Sequence, residues 1–175
     1  MGKKSAKPAV LGATIDYALA APISEQVSIR DVRLISSGCS QTPNARRGKH
    51  SLEINCEVRT QADKKKGYIL VFPSFKLEGF PLERNQKKPD LLIEAAFVII
   101  YKAESLEGLR HANFDAFAQS NGLYNAWPYW REFVQNTVAR MNLPPLTIPV
   151  FRLLPAKTKR SKAKKTREMR KKTPA

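Results

Sequence analysis

The sequence predicts an α+β fold, a four-stranded antiparallel sheet followed by a short and a long helix, with a basic tail beyond. Three observations predict it. Four segments with strand chemistry follow one another between residues 26 and 102. The links between them are too short to hold a crossover helix, which excludes a parallel βαβ arrangement. The most aromatic stretch of the chain comes after the last strand and repeats its apolar residues at helical spacing.

Residues 1–8 are polar and basic, with Lys3, Lys4 and Lys7. They lead into AVLGATIDYALAA, which mimics a secretory leader only loosely. Asp16 interrupts its apolar run and leucine is sparse. The expectation is an extension over residues 1–24 that ends in a short helix near Ile15–Glu25. The first strand is placed at Gln26–Ser36. Val27 and Ile29 share one parity, Val32 and Leu34 the other, so a bulge is expected near Arg30–Asp31. The second strand, His50–Thr60, alternates Leu52, Ile54, Cys56 and Val58 with Glu53, Asn55, Glu57 and Arg59, the pattern of a half-buried strand. The third is Tyr68–Glu78. The fourth, Leu91–Lys102, is so evenly apolar that it reads as covered on both sides. The polar turn TQADKKKG favours a hairpin between strands two and three, and the whole sheet is expected to run as a meander. A short helix comes next, near Asn113–Ser120, with Asn121-Gly122 as its C-cap.

The thirty-three residues Phe117–Pro149 hold two Trp, two Tyr and two Phe. Asn125 can cap a helix, and Pro128 would fall in its first turn, where the missing N–H costs nothing. Trp127, Trp130, Val134, Val138 and Met141 recur at steps of three and four and share a face that Phe133 widens. Arg131, Glu132, Gln135 and Arg140 take the wet side. Leu143-Pro144-Pro145 ends the helix, because the residue before a proline is pushed out of the α region. Thr147–Leu154 is expected to lie extended on the body.

Composition limits the function. A chain of 175 residues with 42% apolar side chains supports one domain with a core. No apolar run reaches a membrane-spanning length. Cys39, in an expected loop, and Cys56, facing inward, form no ligand set or disulfide framework, which fits a reducing cytoplasm. His50 and His111 are the only imidazoles. No zinc, phosphate-loop or nucleophile-elbow motif occurs, so neither catalysis nor a cofactor is expected. His111 and Asp115 would share a helix face as a surface hydrogen bond.

The run GLYNAWPYWREF closed by ARMNLPPLTIPVF, after four strands, resembles the SecB-like export chaperones, and most closely the divergent SecB-like members, some of which serve toxin–antitoxin systems. The resemblance spans about residues 25–153, and its most specific part is Asn121 to Phe151. It implies an ATP-independent holdase whose clients are unfolded, export-bound or antitoxin-type polypeptides, held in apolar grooves between helix and sheet. It also implies a dimer or tetramer joined through the long helix. Phe75, Tyr124, Trp127, Tyr129, Trp130 and Phe133 are the client-binding candidates. Typical members dock the SecA motor on an acidic sheet surface. Here Glu53 and Glu57 stand among Arg46, Arg47, Lys49 and Arg59, which argues against that coupling. The helix that typical members carry after the Pro-rich link is shortened or lost, since Phe151-Arg152-Leu153-Leu154 runs straight into lysines.

The formal net charge is +16, and residues 156–175 carry ten Lys or Arg against one Glu. With one large apolar side chain, Met169, this segment cannot offset the entropy of folding and reads as disordered. Lys157, Lys159, Arg160, Lys162, Lys164, Lys165, Arg167, Arg170, Lys171 and Lys172 could neutralise phosphates in a salt-dependent way. The alternative function is therefore a nucleic-acid- or ribosome-associated protein acting through the tail.

Overall fold

The computed structural model describes residues 12–46, 49–82 and 88–155. The basic segment 156–175 lies outside them. The elements run β1 (Gly12–Ile15), α1 (Tyr17–Ser24), β2 (Val27–Gln41), β3 (His50–Asp63), β4 (Tyr68–Pro81), β5 (Leu91–Ala103), α2 (His111–Phe117), α3 (Leu123–Arg140) and β6 (Arg152–Pro155). The α+β expectation holds: a four-stranded antiparallel sheet precedes a short and a long helix.

Strand order corrects the meander. It is β2-β5-β4-β3, so β2 lies beside β5 and the sheet is a Greek key. The even apolarity of β5 demands a central place, and this order gives it one. The link 42–49 must then cross the end of the sheet, a distance of about three strand spacings, or ~14 Å. Both of its ends meet Asp90. The Thr42 amide donates to the Asp90 carbonyl at 2.9 Å, and the Thr42 hydroxyl donates to Asp90 Oδ1 at 2.6 Å. His50 Nε2 lies 3.5 Å from Asp90 Oδ2, without hydrogen-bond geometry, which places the start of β3 beside the same residue.

The bulge expected near Arg30–Asp31 is present as a register shift between Ile29 and Asp31, and a second falls between Leu34 and Ser36. Strand β2 continues to Gln41, so Cys39 lies in the strand, exposed, and not in a loop. Cys56 faces inward as expected, and burial pushes its thiol pKa up.

One face of the sheet packs on the helices. Ile69, Val71, Phe75, Leu77, Ile93 and Ile99 are buried there, and the residues between them along each strand point to the opposite face. No layer covers that opposite face among the described residues, so β5 is not enclosed on both sides. Only Val98 is buried on it, while Leu92, Ala96 and Ile100 are half-buried and Glu94 is exposed.

The two helices after the sheet are one continuous rod. A π-helical turn, Ala118–Gly122, joins α2 to α3 where a C-cap at Asn121-Gly122 was expected. Gly122 is helical, with φ −61 and ψ −53, and it is there for space. A Cβ on it would meet Val71 Cγ1 at 2.7 Å, so only glycine lets the rod approach the sheet this closely. The wider turn frees carbonyls, and the Ser120 hydroxyl donates to those of Ala116 at 2.7 Å and Phe117 at 3.2 Å. Because the rod is unbroken, Asn125 is not a cap. Its Nδ2 donates to the Tyr101 hydroxyl at 3.0 Å. Pro128 sits inside α3 on the exposed side, where the Tyr124 carbonyl goes without its amide.

The predicted helix face is observed. Trp127, Trp130, Val134 and Val138 are buried, Phe133 and Met141 half-buried. The end of α3 is a Schellman motif. Asn142 adopts φ 55, and the Leu143 amide donates to the Val138 carbonyl at 3.0 Å. Gln41 Nε2 and Arg46 Nη2 reach the free Met141 carbonyl at 3.1 and 3.2 Å. At the other end of the chain, Asp16 caps α1 by accepting from the Ala18 amide at 3.1 Å. Strand β1 pairs in parallel with β6, a pairing that local sequence patterns did not reveal. His111 Nδ1 and Asp115 Oδ2 form the expected surface contact at 2.7 Å.

Gly122→Ala should cost about 1–3 kcal/mol, the usual penalty for overpacking. Val71→Ala in the same chain should recover part of it in urea melts. Burial raises the Tyr101 pKa from 10.0 to about 12, against a lowering by the bond from Asn125. The unfolded chain then ionises first. That contribution to stability is whole below pH 10 and drains away as pH rises towards about 12. Tyr101→Phe should remove this component of alkaline unfolding, as measured by circular dichroism against pH.

Candidate functional site: an apolar groove beside an open strand edge

The aromatic residues singled out in the sequence divide into two sets. Phe75, Trp127 and Trp130 are 2%, 3% and 0% exposed and belong to the core. Phe75 stacks on Trp130 at 5.3 Å and meets Trp127 edge-on at 5.6 Å. Trp130 in turn stacks on the half-buried Phe133 at 6.2 Å. The structure thus brings four of the six residues into one contiguous group. Tyr124 and Tyr129, 53% and 47% exposed, stand outside it on α3.

That aromatic group fixes the chain beyond α3. Trp127 Nε1 donates to the Pro149 carbonyl at 2.8 Å, and its ring lies 5.2 Å from that of Phe151. Ile148 and Phe151 are buried. Residues 143–151 are therefore held in extended form against the body with no regular hydrogen bonding of their own. Prolines 144, 145 and 149 suit this, since they cannot propagate a helix.

Between this segment and β3 runs a groove of about 440 Å³, lined by Leu52, Ile54, Leu77, Leu146, Ile148 and Pro149, with Glu53, Asn55 and Thr147 at its rim. Its apolar side chains are incompletely covered. Leu52 is 42% exposed, and Ile54, Cys56 and Val58 are half-buried, whereas the inward residues of β4 next to them are sealed. Val150, 56% exposed, follows Pro149 in the same segment. Sequence reasoning missed these residues as a site. Leu52 and Ile54 read as the inward side of a strand, and only their position at the sheet edge leaves that side open.

A larger trough of about 490 Å³ crosses the other face of the sheet between Ser36, Gly38, Ser74, Lys76, Glu94 and Ala96. Lys76 pairs there with Glu78 at 3.0 Å. Its lining mixes Ala95, Ala96 and Phe75 with serines and the charged Glu57, Lys76 and Glu94, so it is a less apolar surface than the groove beside β3. Among the described residues no cluster of His, Cys, Asp or Glu could hold a metal ion, and no helix is long and apolar enough to cross a membrane.

Trp127→Phe deletes the bond to Pro149 and keeps an aromatic ring. We expect a loss of about 1 kcal/mol. Amide exchange over residues 146–151 should accelerate while the amides of α3 stay protected.

No family profile matches the chain, and no curated protein matches its sequence. Among solved structures, it is similar to a SecB-like chaperone from Mycobacterium tuberculosis in complex with a ChAD peptide from the HigA1 antitoxin. Identity is 22%, the match covers 77% of this chain and 94% of that one, and the TM-score is 0.64. A protein of unknown function from Streptococcus agalactiae aligns at 7% identity over 71% of this chain and 97% of its own, with a TM-score of 0.36, too distant to carry an argument. The match covers nearly the whole of the mycobacterial chain, and the fold of this protein is that of a SecB-like chaperone.

Proposed function

We propose that this protein is a non-catalytic, ATP-independent holdase that binds extended apolar segments of unfolded, export-bound or antitoxin-type polypeptides in the cytoplasm. The observation that carries the reading is the open apolar groove beside β3. Monomeric proteins rarely leave such surface uncovered without a use for it. The shared fold with a chaperone solved on an antitoxin peptide points the same way. A holdase of this kind needs no chemistry. It binds the unfolded chain and lowers its free concentration by mass action, and several weak apolar contacts on one client add through multivalency.

In this reading the six aromatic residues have different roles. Phe75, Trp127, Trp130 and Phe133 support the wall that carries residues 146–150, while Tyr124 and Tyr129 offer further apolar surface on α3. The chain acts as a dimer or tetramer, and the exposed side of α3 is the natural place for a second copy. SecA is not a required partner. The open face of the sheet mixes Glu53, Glu57, Glu78 and Glu94 with Arg33, Arg59 and Lys76 instead of gathering acids.

A second reading rests on the charge distribution. The described residues hold 15 Lys or Arg and 13 Asp or Glu, so nearly all of the +16 belongs to the rest of the chain. A nearly neutral body joined to a separate polycation suits a nucleic-acid or ribosome tether.

Aggregation of a denatured client, monitored by light scattering, tests both. The full chain and a chain ending at Pro155 should suppress it equally. Leu52→Ser with Val150→Ser should weaken client binding by about thirtyfold or more and suppression with it, since each exchange removes about 1–2 kcal/mol of apolar contact, with an unchanged circular dichroism spectrum. Loss of suppression on removing the tail would favour the second reading.

A further inference from the structure

We propose that the chain's own basic segment, residues 156–175, folds back onto the open face of the sheet and lies along the trough between Gly38 and Glu57. It forms a latch there that competes with polyanions for the same lysines and arginines. The proposal stands apart from the holdase reading, because the trough and the apolar groove are on opposite faces.

The charges of the open face are mixed but unevenly placed. Across the sheet, Gly38 is in register with Glu94, and Glu94 with Lys76. In the next row Ser36 matches Ala96, Ala96 matches Ser74, and Ser74 matches Glu57. On the other side of Lys76, Glu78 stands directly opposite Glu53. Four carboxylates thus surround one ammonium, and Lys76 pairs with only one of them, Glu78, at 3.0 Å. Arg33 and Arg59 stand beyond Ser36 and Glu57, at the far end. Glu53, Glu57 and Glu94 form no ion pair among the described residues. Like charges opposite each other on neighbouring strands repel, and a further cation beside Glu53 and Glu78 would relieve this. Between these carboxylates the trough, about 490 Å³, runs over Gly38, Ser74 and Ala96, whose small side chains leave room for a chain laid on the sheet.

The segment 156–175 fits that surface in charge, size and reach. It holds ten Lys or Arg against one Glu, and apart from Met169 its other residues are Ala, Ser, Thr and Pro. Lysine and arginine stems can lie on the alanine floor while their heads reach the carboxylates. Pro149 shares the groove at the β3 edge with Glu53 and Asn55. Residue 156 follows it by seven residues, so the segment begins within ~25 Å of that edge. Its twenty residues span up to ~66 Å when extended, and the sheet is only about three strand spacings, or ~14 Å, across. The tether holds the cations at a local concentration of about a millimolar, which an untethered basic partner would have to match. The same face of a second copy carries the same carboxylates and is repelled.

The latch is read in the full chain carrying Cys39→Ser, Cys56→Ala and a nitroxide on Ser161→Cys. At low salt the amide signals of Gly38, Ser74, Glu94 and Ala96 should lose about half their intensity or more, and recover near 1 M salt, where the Debye length is about 3 Å. Glu53→Gln with Glu57→Gln and Glu94→Gln should abolish the broadening. The same triple variant without the label should bind polyuridylate about fivefold more tightly at low salt, because the competitor is gone. Glu104→Gln with Glu107→Gln and Glu132→Gln makes the same change of net charge away from the trough, and should gain less than about twofold. Unbroadened signals at these four amides, or an equal gain from both triple variants, would overturn the latch. Equal broadening when nitroxide and isotope are on different copies would give the trough to another chain's segment and overturn it as well.

Discussion

The packing of the α3 aromatic face on the two central strands is the contact on which the other features depend. Phe75 from β4 is gripped by Trp127 and Trp130, and those rings position the chain on both sides of the helix. Upstream, the close approach is possible because Gly122 touches Val71 where a side chain would collide. Downstream, Trp127 holds Pro149 and Phe151, so the exit segment stays beside β3 and forms one wall of the groove. Each buried ring of this size contributes a few kcal/mol. The contact therefore stabilises the domain and defines the site.

This arrangement leaves both edges of the sheet unfinished, with Ile29, Leu34 and Ile35 exposed on β2 and Leu52 on β3. The helices cover β4 and β5 completely on one face, but their coverage fades at β3. A residue pattern that is ordinary for a strand, Leu-x-Ile-x-Cys-x-Val, becomes an accessible apolar strip because it lies at the edge. In the proposed reading, the nearly neutral body captures polypeptide and the strongly basic remainder of the chain supplies electrostatic attraction. Association of this kind falls with salt only where the tail contributes.

Local patterns were legible in the sequence. The change of parity between Ile29 and Val32 foretold a bulge, the spacing of Trp127, Trp130, Val134 and Val138 foretold the buried helix face, and Leu143-Pro144 foretold the helix end. Long-range features escaped. The place of β2 beside β5 depends on a link pinned by Asp90, which no local pattern records. Gly122 reads as a cap in isolation, because its packing role depends on Val71, distant in the chain. The groove joins Leu52 and Ile54 to Leu146 and Ile148, and only the folded chain brings them together. The aromatic residues drew attention by their size, yet the most buried of them support the groove while smaller aliphatic residues line it.

Methyl NMR on the full chain with labelled Ile, Leu and Val, titrated with an unfolded client, tests groove binding most directly. Shifts should concentrate at Leu52, Ile54, Leu146, Ile148 and Val150. Shifts confined to the opposite face of the sheet, at Leu70, Leu92 and Ile100, or no methyl shifts under conditions where aggregation is suppressed, would contradict a client seated beside β3.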